Sequence, residues 1–139
     1  MKLVSACLVG INCKYDGKSR ICPKLVEMVK RGEAIPVCPE ILGGLPTPRI
    51  PSEQKNDRVI NKNGEDVTEQ FNKGAEETLN IAQMVGATEA ILKARSPSCG
   101  ANKVYDGTFT HTIVDGDGVT AKLLKTHGIK VKTEEEIGV

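Results

Sequence analysis

The sequence predicts an α/β fold: a single three-layer domain, 1–139, of Rossmann or flavodoxin type with about four parallel strands. Three observations predict it. Short apolar, β-capable runs alternate with segments of helical periodicity, the pattern of a parallel sheet with right-handed crossovers. The length of 139 residues suits one domain. Apolar residues make up 39% but aromatics only 3%, so the core must rest on Val, Ile, Leu and Ala.

The elements follow in order. Leu3 to Leu8 is a first strand. Gly10 to Ser19 is polar and turn-rich, with Asp16-Gly17 as a turn signal. Pro23 suits the first position of a helix whose stripe is Leu25, Val26, Met28 and Val29, and Gly32 stops it. Ala34 to Val37 is a second strand. Ile41 to Glu53 carries two glycines and three prolines within Leu42 to Pro51, too many for a regular helix or a central strand. Arg58 to Glu65 reads as a small hairpin turning at Asn63-Gly64. Asp66 to Val85 is the clearest helix: Val67, Phe71, Ala75, Leu79 and Ala82 recur on one face, Asp66 or Thr68 caps the start, and Gly86 ends it. Thr88 to Lys93 is a third strand. Tyr105 to Gly118 is a long loop with a hairpin fragment around Thr108 to Val114. Val119 to His127 is a helix with Val119, Leu123 and Leu124 toward the core, and Ile129 to Lys132 is a fourth strand.

Charge and composition narrow the function classes. Nineteen Lys and Arg against 18 Asp and Glu leave +1, so no basic field recruits nucleic acid or anionic lipid. With two Tyr, two Phe and no Trp, the rows of rings that stack single-stranded bases are missing. The apolar start is followed at once by Asn12, Lys14, Asp16, Lys18 and Arg20, which is not a signal peptide. No stretch approaches the roughly 20 apolar residues of a membrane span. A cytoplasmic protein is expected, and an odd number of cysteines in a reducing compartment points to metal ligation or catalysis.

Placed on this outline, Cys7 leaves the first strand, Cys38 follows the second, and Cys99 lies in the loop after the third. Ligands of open α/β sheets bind at the carboxyl ends of strands, so the three thiols should converge on one rim. They suit an iron–sulfur cluster with one iron left open, or a three-thiolate zinc; buried structural cysteines are the other reading. Glu40 beside Cys38, and Ser96 and Ser98 before Cys99, would add a carboxylate and hydroxyls to a metal-assisted site. Taken singly, Glu40 also reads as a solvated residue and the two serines as capping groups.

Those residues carry a resemblance. Ser5-Ala6-Cys7-Leu8-Val9-Gly10, Cys13-Lys14-Tyr15-Asp16-Gly17, Cys38-Pro39-Glu40, Gly43-Gly44-Leu45, Pro48-Arg49-Ile50-Pro51, Ser96-Pro97-Ser98-Cys99-Gly100 and Tyr105-Asp106-Gly107-Thr108-Phe109 follow one pattern, and nearly the whole chain resembles the thiouracil desulfurase family. Lys14 stands where arginine is expected and Val9 where leucine is. The resemblance implies a [4Fe-4S] cluster on Cys7, Cys38 and Cys99, with Cys13 as alternative to Cys7. It also implies Glu40 as acid/base, Ser96 as proton relay or substrate contact, and a small thiolated pyrimidine as substrate. Nucleic acid and membrane partners are not expected, and the sequence sets no oligomeric state.

Other residues stay open. Cys13 is a thiol near the cluster or a filler, and Cys22 at a helix start is structural. Arg49 pairs with an internal carboxylate such as Glu53 or contacts substrate. His111 and His127 are not ligands. Glu134-Glu135-Glu136 is a solvated or capping run that reaches toward the rim. Tyr15, Tyr105, Phe71 and Phe109 are the only rings that could stack on a pyrimidine. Two rival functions remain: a cluster-free enzyme transferring sulfur on Cys38 or Cys99, and an accessory module of thiolated-RNA metabolism.

Overall fold

In chain order the elements are β1 (Lys2–Ser5), α1 (Pro23–Lys30), β2 (Ala34–Val37), α2 (Pro39–Leu42), β3 (Ser52–Lys55), β4 (Arg58–Asn61), α3 (Thr68–Met84), β5 (Glu89–Leu92), β6 (Lys103–Tyr105), β7 (Ile113–Asp115), α4 (Val119–Thr126) and β8 (Lys130–Thr133). Short 3-10 helices occupy Ala6–Val9 and Glu134–Ile137. The computed structural model of the protein describes residues 1–138.

The central sheet has the order β2-β1-β5-β8, and every pair is parallel. This is the flavodoxin-like arrangement, in which the chain winds one way from β1 to β2 and the other way from β5 to β8. The reversal puts helices on both faces. Leu3, Ala90, Leu92 and Val131 pack toward Ala82 of α3 and Ala121 and Leu124 of α4. Val4 and Ile91 alternate to the opposite face and meet Leu8, Cys22 and Leu25. Burying each such Leu or Val side chain stabilises the fold by about 1.5–3 kcal/mol. Pro36 is tolerated because β2 is an edge strand. Among the described residues no helix is long and apolar enough to cross a membrane.

The structure redraws four stretches. β1 ends at Ser5, not Leu8: Ser5 faces Val37, the last residue of β2, so no neighbour remains to extend the ladder. Beyond it the chain coils into the 3-10 turn that carries Cys7, closed by Gly10 at φ 96°. A helix forms at Pro39–Leu42 at the edge of the proline- and glycine-rich stretch, because Pro39 takes its first turn and Gly43 ends it. The hairpin is β3 with β4, turning at Asn56-Asp57, whose φ values of 49° and 64° suit the tight primed turn. Asn63-Gly64 still turns the chain, but only a single bridge, Ile60 to Asp66, pairs after it. Finally, Lys103–Tyr105 pairs with Ile113–Asp115, leaving 106–112 as a wide loop.

α2 lies directly on α3. A Cβ on Gly43 would run into the Gln70 carbonyl, and one on Gly74 into the Pro39 carbonyl. The two glycines let the backbones touch, and that contact sets where Cys38 and Glu40 stand over the sheet.

Candidate active site

A cleft of about 580 Å³ opens at the carboxyl ends of β1, β2 and β5, beside the point where the strand order reverses. Cys7, Cys13, Cys38, Cys99, Glu40 and Ser96 all line it. Cys22 does not: it is buried beneath, at the start of α1 in the core with Leu8 and Leu25. Ser98 is also outside, its hydroxyl bonded to Thr120 at 2.7 Å. His127 sits at the far end of α4, its ring against the Leu123 carbonyl.

Local chemistry delivers each thiol. The carbonyls of Cys7 and Leu8 accept the N–H groups of Arg20 (2.8 Å) and Cys22 (2.7 Å), which folds the Gly10–Ser19 loop back over the cleft with Cys13 buried inside it. Cys38 caps α2, and its Sγ lies 3.8 Å from the Cys13 carbonyl oxygen. Cys99 sits in a tight turn whose outer carbonyls take up the free N–H groups of α4: Val119 donates to Pro97, and Thr120 and Ala121 to Ser98. A Cβ on Gly118 would strike the Ser98 backbone, so this seat also requires glycine.

Burial and mutual proximity favour the protonated form of three of these thiols, Cys13, Cys38 and Cys99. For Cys13 the Cys38 side chain pulls the pKa down, but Cys7 and burial outweigh it and leave the value at about 11. The Cys13 side chain and burial push Cys38 far above its ordinary 9.0. Burial pushes Cys99 up to about 12, against the pull of the Ser5 and Ser96 hydroxyls. Four thiols facing one another in a buried cleft are costly as free thiolates and suit a site where a soft metal centre takes the charge. Among the described residues no three His, Cys, Asp or Glu side chains close round a single metal ion.

Glu40 is clamped by Arg49. The Nε donates to Glu40 Oε1 at 3.0 Å, one terminal nitrogen donates to the Cys13 carbonyl at 2.8 Å, and the other bonds Pro46 O and Thr47 Oγ1. Burial raises the Glu40 carboxyl above its ordinary 4.5, and the Arg49 charge pulls it back. Ile41, beside it, is exposed and lends no apolar cover. The Ser96 hydroxyl accepts the N–H groups of Ser98 (3.1 Å) and Cys99 (3.0 Å). Both its acceptor positions are thereby engaged, so its own proton is directed outward, where the Cys99 thiol is within its reach.

The opposite wall was not legible in the sequence. Arg49 pairs with Glu40, not Glu53. Glu53 instead accepts the Gly107 and Phe109 N–H groups at 3.0 and 3.1 Å. The acidic run does reach the rim: buried Glu134 accepts the Ala94 N–H at 2.7 Å and pairs with Lys93 at 3.3 Å, and Glu135 pairs with Arg95. His111 and Phe109 line the cleft with Tyr105. Lys14, Arg20, Lys62, Lys93 and Arg95 border it as well, so it is locally cationic within a nearly neutral chain. The Glu53 and Glu134 contacts join residues 40 to 56 positions apart; no local motif announces them.

Residues 3–136 match the sequence pattern of the 2-thiouracil desulfurase family. The protein YbbK of Bacillus subtilis (strain 168) is 42% identical over 147 residues, spanning 99% of this chain and 97% of its own. A solved structure of the [4Fe-4S]-dependent thiouracil desulfidase TudS superposes with a TM-score of 0.93 at 42% identity, over 97% of this chain and 91% of that one.

Proposed function

The chain belongs to the 2-thiouracil desulfurase family, and we propose that it removes sulfur from thiolated pyrimidines such as 2-thiouracil, using a [4Fe-4S] cluster held by Cys7, Cys38 and Cys99. One observation carries the reading: Cys7, Cys13, Cys38, Cys99, Glu40 and Ser96 share a single cleft at the carboxyl ends of three parallel strands. The donor set fits the cluster, since thiolates are its usual protein ligands, one per iron, and three of them leave one iron open. Cys13 is the spare thiol and the alternative to Cys7.

When bound, the cluster supplies a soft Lewis acid suited to a thiocarbonyl sulfur. The residues supply the rest. Glu40, held by Arg49 at one oxygen, takes the proton of a water that attacks the ring carbon. Ser96, whose oxygen already accepts two backbone N–H groups, turns its O–H to the substrate as charge develops there. The C=S bond is exchanged for C=O, with water consumed, hydrogen sulfide formed and no net redox change.

The test is anaerobic reconstitution, followed by iron and sulfide analysis and by loss of the 2-thiouracil thione absorbance. About four irons per chain and turnover are expected. Fewer than about one iron with sulfur transfer retained would favour the cluster-free enzyme.

A further inference from the structure

Glu53 is a buried carboxylate, and no ion pair among the described residues includes it. Its Oε1 instead accepts two backbone N–H groups, from Gly107 at 3.0 Å and Phe109 at 3.1 Å. Those amides converge because the backbone alternates in hand. Gly107, Phe109 and His111 have φ of 94°, 59° and 59°, and the threonines between them do not have positive φ. Alternation of this kind turns successive N–H groups to one side and builds a concave anion site. Here the anion is internal: Glu53 fills it.

Left-handed backbone is uncommon for a bulky residue such as Phe109, and it persists only where the surroundings over-determine it. They do so here. Along the same segment the Asp106 carboxylate accepts the Thr108 N–H and hydroxyl, and hydroxyls link Thr108 to Thr110 and Thr110 to Thr112. β3 presses so closely that a Cβ on Gly107 would meet the Gln54 carbonyl at 2.7 Å. The next residue, Gln54, donates to the Pro97 and Asp117 carbonyls at 3.2 and 2.8 Å. β3 therefore braces the Cys99 turn with one side chain and the 106–112 loop with the other.

That loop delivers aromatic surface to the cleft. Phe109 and His111 line it, and His111 meets Tyr105 edge to face, centroids 5.8 Å apart at 81°. Apart from these, Tyr15 is the one further aromatic residue lining the cleft among the described residues.

We propose that Glu53 is a positioning residue: by filling the amide concavity of 107–109 it fixes Phe109 and His111 as the wall on which a planar heteroaromatic ring stacks, and so sets affinity for substrate. The identity of that ring as a thiolated pyrimidine rests on the function proposed above; the bracing of the wall does not.

The experiment combines amide exchange at Gly107 and Phe109 with steady-state kinetics on 2-thiouracil, both in the cluster-loaded protein. Glu53→Ala should speed exchange at both amides and raise KM by about tenfold each, with kcat within about threefold and the visible absorbance unchanged. Glu53→Gln keeps an acceptor oxygen of the same reach and should restore most of the protection. Phe109→Leu should raise KM similarly, and the double variant should be no worse than the worse single one, because both act through one wall. If Glu53→Ala cannot be isolated, Glu53→Asp, whose carboxylate is one methylene too short to reach both amides, carries the same cycle with Phe109→Leu. Unchanged exchange at Gly107 and Phe109, faster exchange with KM unmoved, or fully additive effects would overturn the proposal. If the native protein does not act on 2-thiouracil, the function reading fails, and exchange together with calorimetric binding of uracil to native and variant protein decides this one.

Discussion

Arg49 grips Glu40 through a single Nε bond of 3.0 Å and reaches past it to the Cys13 carbonyl at 2.8 Å. One guanidinium thus ties the candidate acid/base to the loop that carries Cys13, and its side chain is only 5% exposed. A lysine offers a point charge without the planar fork needed for both bonds. Arg49→Lys should lower kcat about 100-fold while leaving the cluster's visible absorbance in place, since a carboxylate displaced by an ångström loses its aim. Arg49→Ala should in addition cost about 3 kcal/mol of stability, because a buried partner is left unpaired. Melting temperature and turnover together separate the two effects.

Glu40 and Ser96 are assigned proton chemistry, not cluster ligation. Glu40→Gln and Ser96→Ala should each keep the visible absorbance and lose turnover by about 100-fold or more. Full activity in both variants would remove the roles given them here.

Cys7 and Cys13 can be told apart by iron. With Cys7 as ligand, Cys7→Ser should lose most of its iron after anaerobic reconstitution, and Cys13→Ser should keep it. The reverse pattern would make Cys13 the ligand and Cys7 the spare thiol in the 3-10 turn after β1.

Gly74 is remote from the cleft lining but governs it. Its missing Cβ leaves room for the Pro39 carbonyl, at the first residue of the helix that carries Glu40. Gly74→Ala forces α2 off α3. It should cost about 1–3 kcal/mol, as overpacking does, even though alanine is the better helix former. Because Cys38 caps α2, cluster loading should fall with it, which a melting curve and an iron count on the same sample would reveal.

Much of this was legible in the sequence because it was periodic or locally punctuated. The strand–helix alternation, the proline that opens α1 and the glycines that follow α1 and α3 all act within a few residues. The convergence of Cys7, Cys38 and Cys99 followed from the rule for strand ends. The partners of Glu53 and Glu134 did not follow, because they lie far along the chain and only the packed fold brings them together; Arg49 meets Glu40 only nine positions back, but no periodic pattern marks that pairing. The hairpin was misplaced for a related reason: Asn63-Gly64 is the stronger turn signal, yet pairing falls upstream, where β3 is also needed to brace the cleft.

Asp66 gives the protein a pH signature outside the site. Its carboxylate accepts the Thr68 N–H at the start of α3 and pairs with Arg58 at 2.8 Å. The Thr68 contacts, then Arg58, hold its pKa at about 2, below the ordinary 3.8. A lowered native value means the charged form is favoured by folding. The contribution is therefore complete above the unfolded value of 3.8 and is lost as pH falls toward about 2. Asp66→Asn keeps an oxygen to accept the Thr68 N–H but never carries the charge. The melting temperatures of native protein and variant should differ by a constant amount near neutrality. Below pH 3.8 that gap should narrow, and it should shrink to its charge-independent remainder near pH 2. A gap that stays constant down to pH 2 would mean that the Arg58 pair and the helix start draw nothing from the charge on Asp66.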